Sequence, residues 1–67
     1  MKPEDFKAWR LRRGISREQA ALELGLSPSC VKQYELGHKR GSPIRIPKLV
    51  GLACGALEHG FLDYAPG

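Results

Sequence analysis

The carboxy-terminal part of this sequence contains no lysine or arginine. All eleven basic residues lie within residues 1–48, where five acidic residues leave a balance of +6. Residues 49–67 contain only two charged residues, Glu58 and Asp63, and have a balance of −2. A basic body with a slightly acidic end favours one surface for a polyanion and a different role for the end of the chain.

Cysteine is also scarce, since Cys30 and Cys54 are the only two and no cluster of histidines accompanies either. Their spacing fits no common zinc site, so we expect free thiols in a reducing cytosol and no bound metal. We see neither a charged-then-apolar leader nor an apolar run near ~18 residues, which predicts a protein of the bacterial cytoplasm that contacts no membrane.

The sequence lacks the patterns of an enzyme as well. It shows no nucleophile with a suitably spaced base, no paired carboxylates and no glycine-rich phosphate loop. Its 67 residues allow one domain, residues 1–67, with a thin core and little room for an enzyme cleft. We therefore expect a binding module with no catalytic residues, no cofactor and no small-molecule ligand.

Start and stop signals predict helices through most of the chain. Pro3 opens a helix that ends before Gly14, and Ser16 caps a second helix that ends at Gly25. Ser27 caps a third helix, which has Pro28 at its first position and ends at Leu36-Gly37; the polar residues 38–43 are expected to form a loop. A fourth helix opens at Pro47 and ends at Gly60.

The second and third helices, about residues 16–36, are joined by the three-residue turn Gly25-Leu26-Ser27. Such a turn needs a residue that tolerates left-handed geometry, then an apolar plug, then a helix cap. Small Ala21 lets the two helices approach closely, with Val31 on the other side. The pattern predicts a helix-turn-helix unit.

These residues resemble the Cro/C1-type helix-turn-helix family of phage and bacterial regulators. The resemblance implies an all-α, compact four- to five-helix bundle (a lambda repressor-like DNA-binding domain) whose third helix enters the major groove. It also implies a structural pair between Arg10 and Glu35. The chain departs from the family at Pro28 and at its end, where the usual fifth helix is short or missing. The matching residues are Arg10, Gly14-Ile15-Ser16, Gln19-Ala20-Ala21, Leu24-Gly25-Leu26-Ser27, Val31 and Tyr34-Glu35-Leu36-Gly37.

The outer side of the third helix is the predicted base-contacting surface. If Val31 and Tyr34 point inward, the outward residues are Pro28, Ser29, Lys32 and Gln33. Gln33 suits adenine, Lys32 suits guanine and Ser29 suits either base. The alternative is that these residues form only the solvated side of an amphipathic helix.

Contacts to DNA phosphates are expected on both sides of that helix. Cations, hydroxyl groups and free backbone amides at helix N-termini suit such contacts, which add salt-sensitive affinity without selecting a sequence. The alternative is that these charged residues are only a solvated surface. For Arg12, Arg13 and Lys48 the sequence leaves two possibilities open: they contact phosphates, or they face another part of the surface. The predicted phosphate contacts are Ser16, Arg17, Ser27, His38, Lys39, Arg40 and Arg45.

A homodimer is expected because one recognition helix covers only a few base pairs. A two-fold dimer presents two such helices about 34 Å apart, one turn of the duplex. The candidate dimer interface is the fourth helix with the tail, residues 47–67, although the same residues would also serve to close the monomer's own core. Its predicted residues are Leu49, Leu52, Phe61, Leu62 and Tyr64.

Together these patterns predict a sequence-specific regulator of transcription that binds double-stranded DNA. The expected form is a dimeric repressor of phage or mobile-element type, acting at an inverted-repeat operator. Two alternatives remain open: an antitoxin-like module that binds a protein partner as well as DNA, and an RNA-binding autoregulator. A-form RNA disfavours the second, because side chains cannot reach base edges in its narrow major groove.

Overall fold

A computed structural model describes residues 1–60, which form four helices and one short hairpin. The helices lie where the capping and glycine signals predict them, so the all-α helix-turn-helix fold expected from the sequence is confirmed. The elements are α1 Pro3–Arg13, α2 Arg17–Leu24, α3 Pro28–Leu36, β1 His38–Lys39, β2 Ser42–Pro43 and α4 Lys48–Glu58.

Serine caps fix the beginnings of α2 and α3. The Ser16 hydroxyl oxygen accepts a hydrogen bond from the backbone N–H of Gln19 at 3.0 Å, and that of Ser27 accepts from the N–H of Cys30 at 3.1 Å. Each bond satisfies a backbone donor that the first helical turn leaves without a partner. Gly25 ends α2 in the left-handed region, with φ 70°, which turns the chain toward α3.

The core forms where α1, α2, α3 and α4 meet. Phe6 and Trp9 of α1 are its largest side chains, and their rings pack at 5.7 Å between centroids. Alanines 20 and 21 keep α2 close to α3, as the small residues of the predicted turn unit suggest. The buried core residues are Phe6, Trp9, Ala20, Ala21, Val31, Ile46, Cys54 and Leu57.

Polar contacts fix the position of α4 against α1. The indole Nε1 of Trp9 donates a hydrogen bond to the carbonyl oxygen of Cys54 at 3.1 Å inside the core. Arg13 donates to the carbonyl oxygen of Leu57 at 2.9 Å. Both bonds satisfy buried or half-buried groups, and so they define how α4 lies on the rest of the bundle.

The hairpin differs from the loop expected over residues 38–43. Strands β1 and β2 pair antiparallel, His38 with Pro43 and Lys39 with Ser42. Arg40 and Gly41 form the two-residue turn between them, and both have positive φ, 51° and 83°. A tight turn of this kind requires positive φ at both central residues. The sequence hides the hairpin because each strand is two residues long, which is too short for an alternating pattern to show.

Pro47 precedes α4 as its capping residue, so that helix begins one residue later than its predicted opening. Cys30 and Cys54 are both free thiols, as expected. Within residues 1–60, every helix is too short or too polar to span a bilayer.

Candidate nucleic-acid interface

The outer face of α3 and the β1–β2 hairpin enclose one concave surface, which we call the basic cleft. The structure thus brings together three residues predicted to contact bases with three predicted to contact phosphates. The residues that line the basic cleft are Ser29, Lys32, Gln33, Leu36, His38, Lys39 and Arg40.

Helical spacing explains why these α3 side chains share one face. Val31 is completely buried and Tyr34 is half-buried against the core. Residues three or four positions apart share a face of a helix, so Ser29, Lys32 and Gln33, which lie one or two positions from these two residues, point to the other side. Ser29 and Lys32 are accordingly exposed, and Gln33 is half-buried at the edge of the cleft. The exposed α3 face is therefore held rigidly by the packing of its opposite side.

The hairpin is attached directly to the end of α3. Gly37 ends the helix in the left-handed region, with φ 80°, and its N–H donates to the carbonyl oxygen of Gln33 at 2.8 Å. The N–H of Ile44 then donates to the carbonyl oxygen of Gly37 at 3.0 Å, which closes the base of the hairpin. Ile46 anchors the following segment in the core. The hairpin is consequently fixed relative to α3, and the two elements form the two sides of the basic cleft.

The basic cleft is suited to a polyanion that also presents hydrogen-bonding groups, as the edges of nucleic-acid bases do. Its cations are Lys32, Lys39 and Arg40, and none of its seven lining residues is acidic. Ser29 offers a hydroxyl group and Gln33 an amide, which can each donate and accept hydrogen bonds. Cations beside uncharged hydrogen-bonding groups are the combination that binds phosphates and base edges together.

Leu36 is the lining residue that the sequence-based prediction missed. Its side chain is 51% exposed, and it follows Lys32 and Gln33 at helical spacing on the same face. That helical spacing is the signal by which the sequence identifies Leu36 as part of this face. An exposed aliphatic side chain at this position offers apolar contact, for example to a thymine methyl group.

The serines and the proline at the N-termini of α2 and α3 are not among the residues that line the basic cleft. Ser16, Ser27 and Pro28 are exposed. Both serine oxygens accept capping hydrogen bonds, yet each hydroxyl still has a proton to donate. A phosphate at either N-terminus would also meet unpaired backbone N–H groups and the positive end of the helix dipole.

Arg45 lies on a different surface from the basic cleft. It lines a shallow depression together with Lys2, Ile44 and residues near the amino terminus. Its side chain is exposed there. The structure therefore does not bring Arg45 together with Lys39 and Arg40, and a phosphate contact by Arg45 would have to be made at a separate place.

Arg10 and Glu35 form an ion pair that connects α1 to α3. Arg10 Nε donates to Glu35 Oε2 at 2.5 Å, and Arg10 Nη2 donates to Oε1 at 3.1 Å. Arg10 Nη1 donates a third bond, to the carbonyl oxygen of Ile15 at 3.0 Å. The side chain of Glu35 is 1% exposed and that of Arg10 is 12% exposed. This forked geometry uses both carboxylate oxygens, and so it fixes the orientation of α3 relative to α1.

Arg17 shares the same carboxylate from α2. Its Nε lies 3.4 Å from Glu35 Oε1, and its side chain is partly exposed. Burial raises the pKa of Glu35, but hydrogen bonds and charge from Arg10, followed by those from Arg17, outweigh burial and hold the pKa below its ordinary value. Arg17 thus combines a structural contact with an exposed edge that a phosphate can approach.

Two arginines left open by the sequence make contacts within the domain. Arg13 pairs with Glu23 at 2.6 Å, and its guanidinium carbon lies 5.6 Å from the centre of the Trp9 ring. Arg12 pairs with Glu58 of α4 on the surface. Arg13 is therefore paired with an acidic residue of α2 and Arg12 with one of α4, and neither arginine lines the basic cleft.

The predicted dimer surface is only partly described. Leu49 and Leu52 of α4 are 77% and 60% exposed, so both leave apolar surface open on this helix. Phe61, Leu62 and Tyr64 lie outside the described residues. Over the first sixty residues, we find no cluster of three or more side chains suited to holding a metal ion.

Comparison with known proteins gives one match. The family model described as helix-turn-helix, of the Cro/C1 type, matches residues 6–52, which is more than half of the chain. The match begins in α1 and extends into α4, so it includes the whole basic cleft. Neither a search of curated proteins nor a search of solved structures gave a significant match.

Proposed function

This chain belongs to the Cro/C1-type helix-turn-helix family, and from that membership we propose that it is a dimeric repressor of phage or mobile-element type. The family is one of DNA-binding regulators of transcription. We propose further that this protein binds an inverted-repeat operator in double-stranded DNA. The bacterial cytoplasm, where the nucleoid lies, is the proposed place of action.

The observation that supports this proposal best is the composition of the basic cleft. One wall presents Ser29, Lys32 and Gln33 from a single rigid helix face, and the other presents Lys39 and Arg40. A helix of this size fits the major groove, about 12 Å wide, with its outward side chains against the base edges. The hairpin then lies beside the sugar-phosphate backbone.

We propose that α3 supplies the contacts that select the sequence. Gln33 is expected to bond adenine through N6 and N7, and Lys32 to bond guanine through O6 and N7, with Ser29 accepting or donating to either. Each good bidentate contact gives about 1–3 kcal/mol of discrimination against the wrong base. Pro28 has no backbone N–H to donate. We therefore propose that it contributes only van der Waals contact at the N-terminus of α3.

The phosphate contacts are proposed to bracket α3. Ser16 and Arg17 at the start of α2 suit one strand, and His38 and Lys39 suit the other. Such contacts fix the register of the domain and make its affinity fall as the salt concentration rises. Ser27 would add a hydroxyl contact from the start of α3, with Arg45 as a more distant cation.

The dimer is proposed to form through α4. Leu49 and Leu52 expose apolar surface that a two-fold partner would cover, and α4 is the last helix of the described chain. A two-fold dimer places its recognition helices in successive major grooves, which is the geometry that an inverted repeat requires. Binding that overlaps a promoter blocks polymerase without any further domain.

Selection from a random pool of duplex DNA, at near-physiological salt, tests this proposal. Enrichment of an inverted repeat with half-site centres about one or more helical turns apart is the expected result. A parallel selection from a random RNA pool is the control. Enrichment from the RNA pool alone, or from neither pool, would contradict the proposal.

A further inference from the structure

One leucine lies exposed among the charged and polar residues of the basic cleft. Of the seven described residues that line this surface, Leu36 is the only aliphatic one, and its side chain is 51% exposed. A single exposed leucine elsewhere on a protein surface is ordinary. Leu36 differs because its neighbours in the cleft offer charges and hydrogen-bonding groups to a ligand, whereas Leu36 offers only apolar contact.

Helical spacing places Leu36 in line with residues that are proposed to contact bases. Ser29, Gln33 and Leu36 follow one another at intervals of four and three residues, so their side chains lie along one face of α3. The N–H of Gly37 donates to the carbonyl oxygen of Gln33 at 2.8 Å and ends the helix directly after Leu36. The bond from the N–H of Ile44 to the carbonyl oxygen of Gly37 then attaches the hairpin. The backbone of Leu36 is therefore held in place where α3 meets the hairpin.

The major groove of DNA offers one kind of apolar group to such a side chain. At the major-groove edges of the four base pairs, the 5-methyl group of thymine stands among hydrogen-bond donors and acceptors. Cytosine that is methylated at C5 presents the same methyl group at the same place and keeps its own amino group. The side chain of Leu36 neither donates nor accepts a hydrogen bond, so a contact from it distinguishes pyrimidines by this methyl group.

We propose that Leu36 contacts the 5-methyl group of one pyrimidine in each half-site. The protein then binds its operator more tightly when this pyrimidine is thymine or 5-methylcytosine than when it is uracil or cytosine. This inference rests on the proposed function, because it requires α3 in a major groove. It adds a chemical modification of DNA to what the protein detects, since methylation of a cytosine at this position increases operator occupancy without a change of sequence.

The position of this pyrimidine follows from the geometry of α3. Leu36 comes three residues after Gln33, which places it about 4.5 Å further along the helix axis. Successive base pairs are about 3.4 Å apart along the duplex. The pyrimidine is therefore expected within about two base pairs of the position that Gln33 selects.

The test uses the full-length protein and its selected site. In one half-site, each thymine is replaced in turn by uracil and each cytosine by 5-methylcytosine, and binding is measured by fluorescence anisotropy. Each replacement changes the methyl group and leaves the hydrogen-bonding groups of the base unchanged. At one position we expect the methylated base to bind about fourfold more tightly, the factor for burying one methyl-sized group.

Four duplexes that differ only at that position separate the methyl group from the rest of the base. They carry thymine or uracil opposite adenine, and 5-methylcytosine or cytosine opposite guanine. The ratio of affinities for thymine and uracil should equal the ratio for 5-methylcytosine and cytosine, because Leu36 contacts the same methyl group in both pairs.

Three variants identify the residue responsible. Leu36→Ala keeps a good helix former at an exposed position, so the domain stays folded while both ratios should fall to about one. Leu36→Met keeps an apolar side chain of similar volume and should retain most of both ratios. Leu22→Ala is the matched control, because Leu22 is 76% exposed on α2 and does not line the basic cleft, and it should leave both ratios unchanged.

Three results would overturn the inference. The first is that no position responds to the methyl group, and the second is a response to thymine that 5-methylcytosine does not reproduce. The third is a methyl effect that persists in Leu36→Ala, since it would then come from the shape or stiffness of the DNA. In each of them the protein still binds its selected site, so the proposed function stands. A wild-type protein that selects no duplex sequence would instead overturn the proposed function and this inference together.

Discussion

The guanidinium of Arg10 and the carboxylate of Glu35 join α1 to the recognition helix through two hydrogen bonds of 2.5 and 3.1 Å. Because Glu35 is 1% exposed, removing Arg10 would leave a buried carboxylate with only Arg17, at 3.4 Å, to compensate it. Neither residue is among those that line the basic cleft. The ion pair therefore stabilises the position of α3, the helix that carries the proposed DNA-contacting side chains.

Arg10→Met is therefore expected to lower the free energy of unfolding by about 3 kcal/mol, the lower end of the range for breaking a buried ion pair. The whole domain has only roughly 3–10 kcal/mol of stability at this length. Urea denaturation measures the loss. The double variant Arg10→Met, Glu35→Leu should recover much of it, because no buried charge is left without a partner. A loss below about 1 kcal/mol for the single variant would show that the pair behaves as a surface contact.

Acid should weaken the domain through Glu35. Its pKa is depressed when folded, so its stabilising contribution is present above the unfolded pKa of about 4.3 and is lost as the pH falls through the folded pKa. Urea denaturation of the wild type should therefore show a falling free energy of unfolding below about pH 4.3. Glu35→Gln should lose less over this window, and Glu4→Gln, at the exposed start of α1, should follow the wild type. Parallel curves for the wild type and Glu35→Gln would count against this role.

Two glycines with similar backbone conformations should differ in their tolerance of alanine. Gly25 has φ 70° and open space around an added carbon, so Gly25→Ala should cost only the backbone strain, about 1–2 kcal/mol. Gly37 has φ 80°, and an added carbon would lie 3.0 Å from Pro3 Cγ. Gly37→Ala should therefore reduce the free energy of unfolding further than Gly25→Ala. An equal or smaller loss at Gly37 would mean that Pro3 moves away freely.

The proposed dimer gives a prediction about exposed leucines. Leu52→Glu on α4 should convert the protein from dimer to monomer in sedimentation equilibrium, because a charge would be buried in the interface. Leu22→Glu is the matched control, since Leu22 is 76% exposed but belongs to α2. It should leave the dimer intact. A wild-type protein that remains monomeric on its DNA, or a Leu52→Glu protein that remains dimeric, would refute α4 as the interface.

The helices of this fold are readable from the sequence because their signals are local. Ser16 and Ser27 cap helices that begin at the next residue, and Gly14, Gly25 and Gly37 follow the last helical residues. The hydroxyl and the backbone N–H that it satisfies are three residues apart, so no tertiary contact is needed to predict them. The outward face of α3 follows in the same way from helical periodicity.

Contacts between distant segments were not readable in this way. The hairpin depends on two positive φ values at Arg40 and Gly41 and on pairing over only four residues, which leaves no periodic pattern. The pairing of Arg13 with Glu23 of α2 depends on how α1 packs against its neighbours. The separation of Arg45 from the basic cleft likewise depends on the path of the chain after the hairpin.

We propose that the outward face of α3 selects the DNA sequence while its basic surroundings supply affinity. The most direct test measures the binding free energy of every single-base variant of the selected site, for the wild type, for Gln33→Ala and for Lys39→Ala. Gln33→Ala should lose about 1–3 kcal/mol of preference at one symmetric position in each half-site and keep the preferences elsewhere. Lys39→Ala should weaken binding nearly uniformly and reduce the salt slope by about 1. If Gln33→Ala leaves every preference unchanged, or weakens all sequences equally, α3 does not select the DNA sequence through this face.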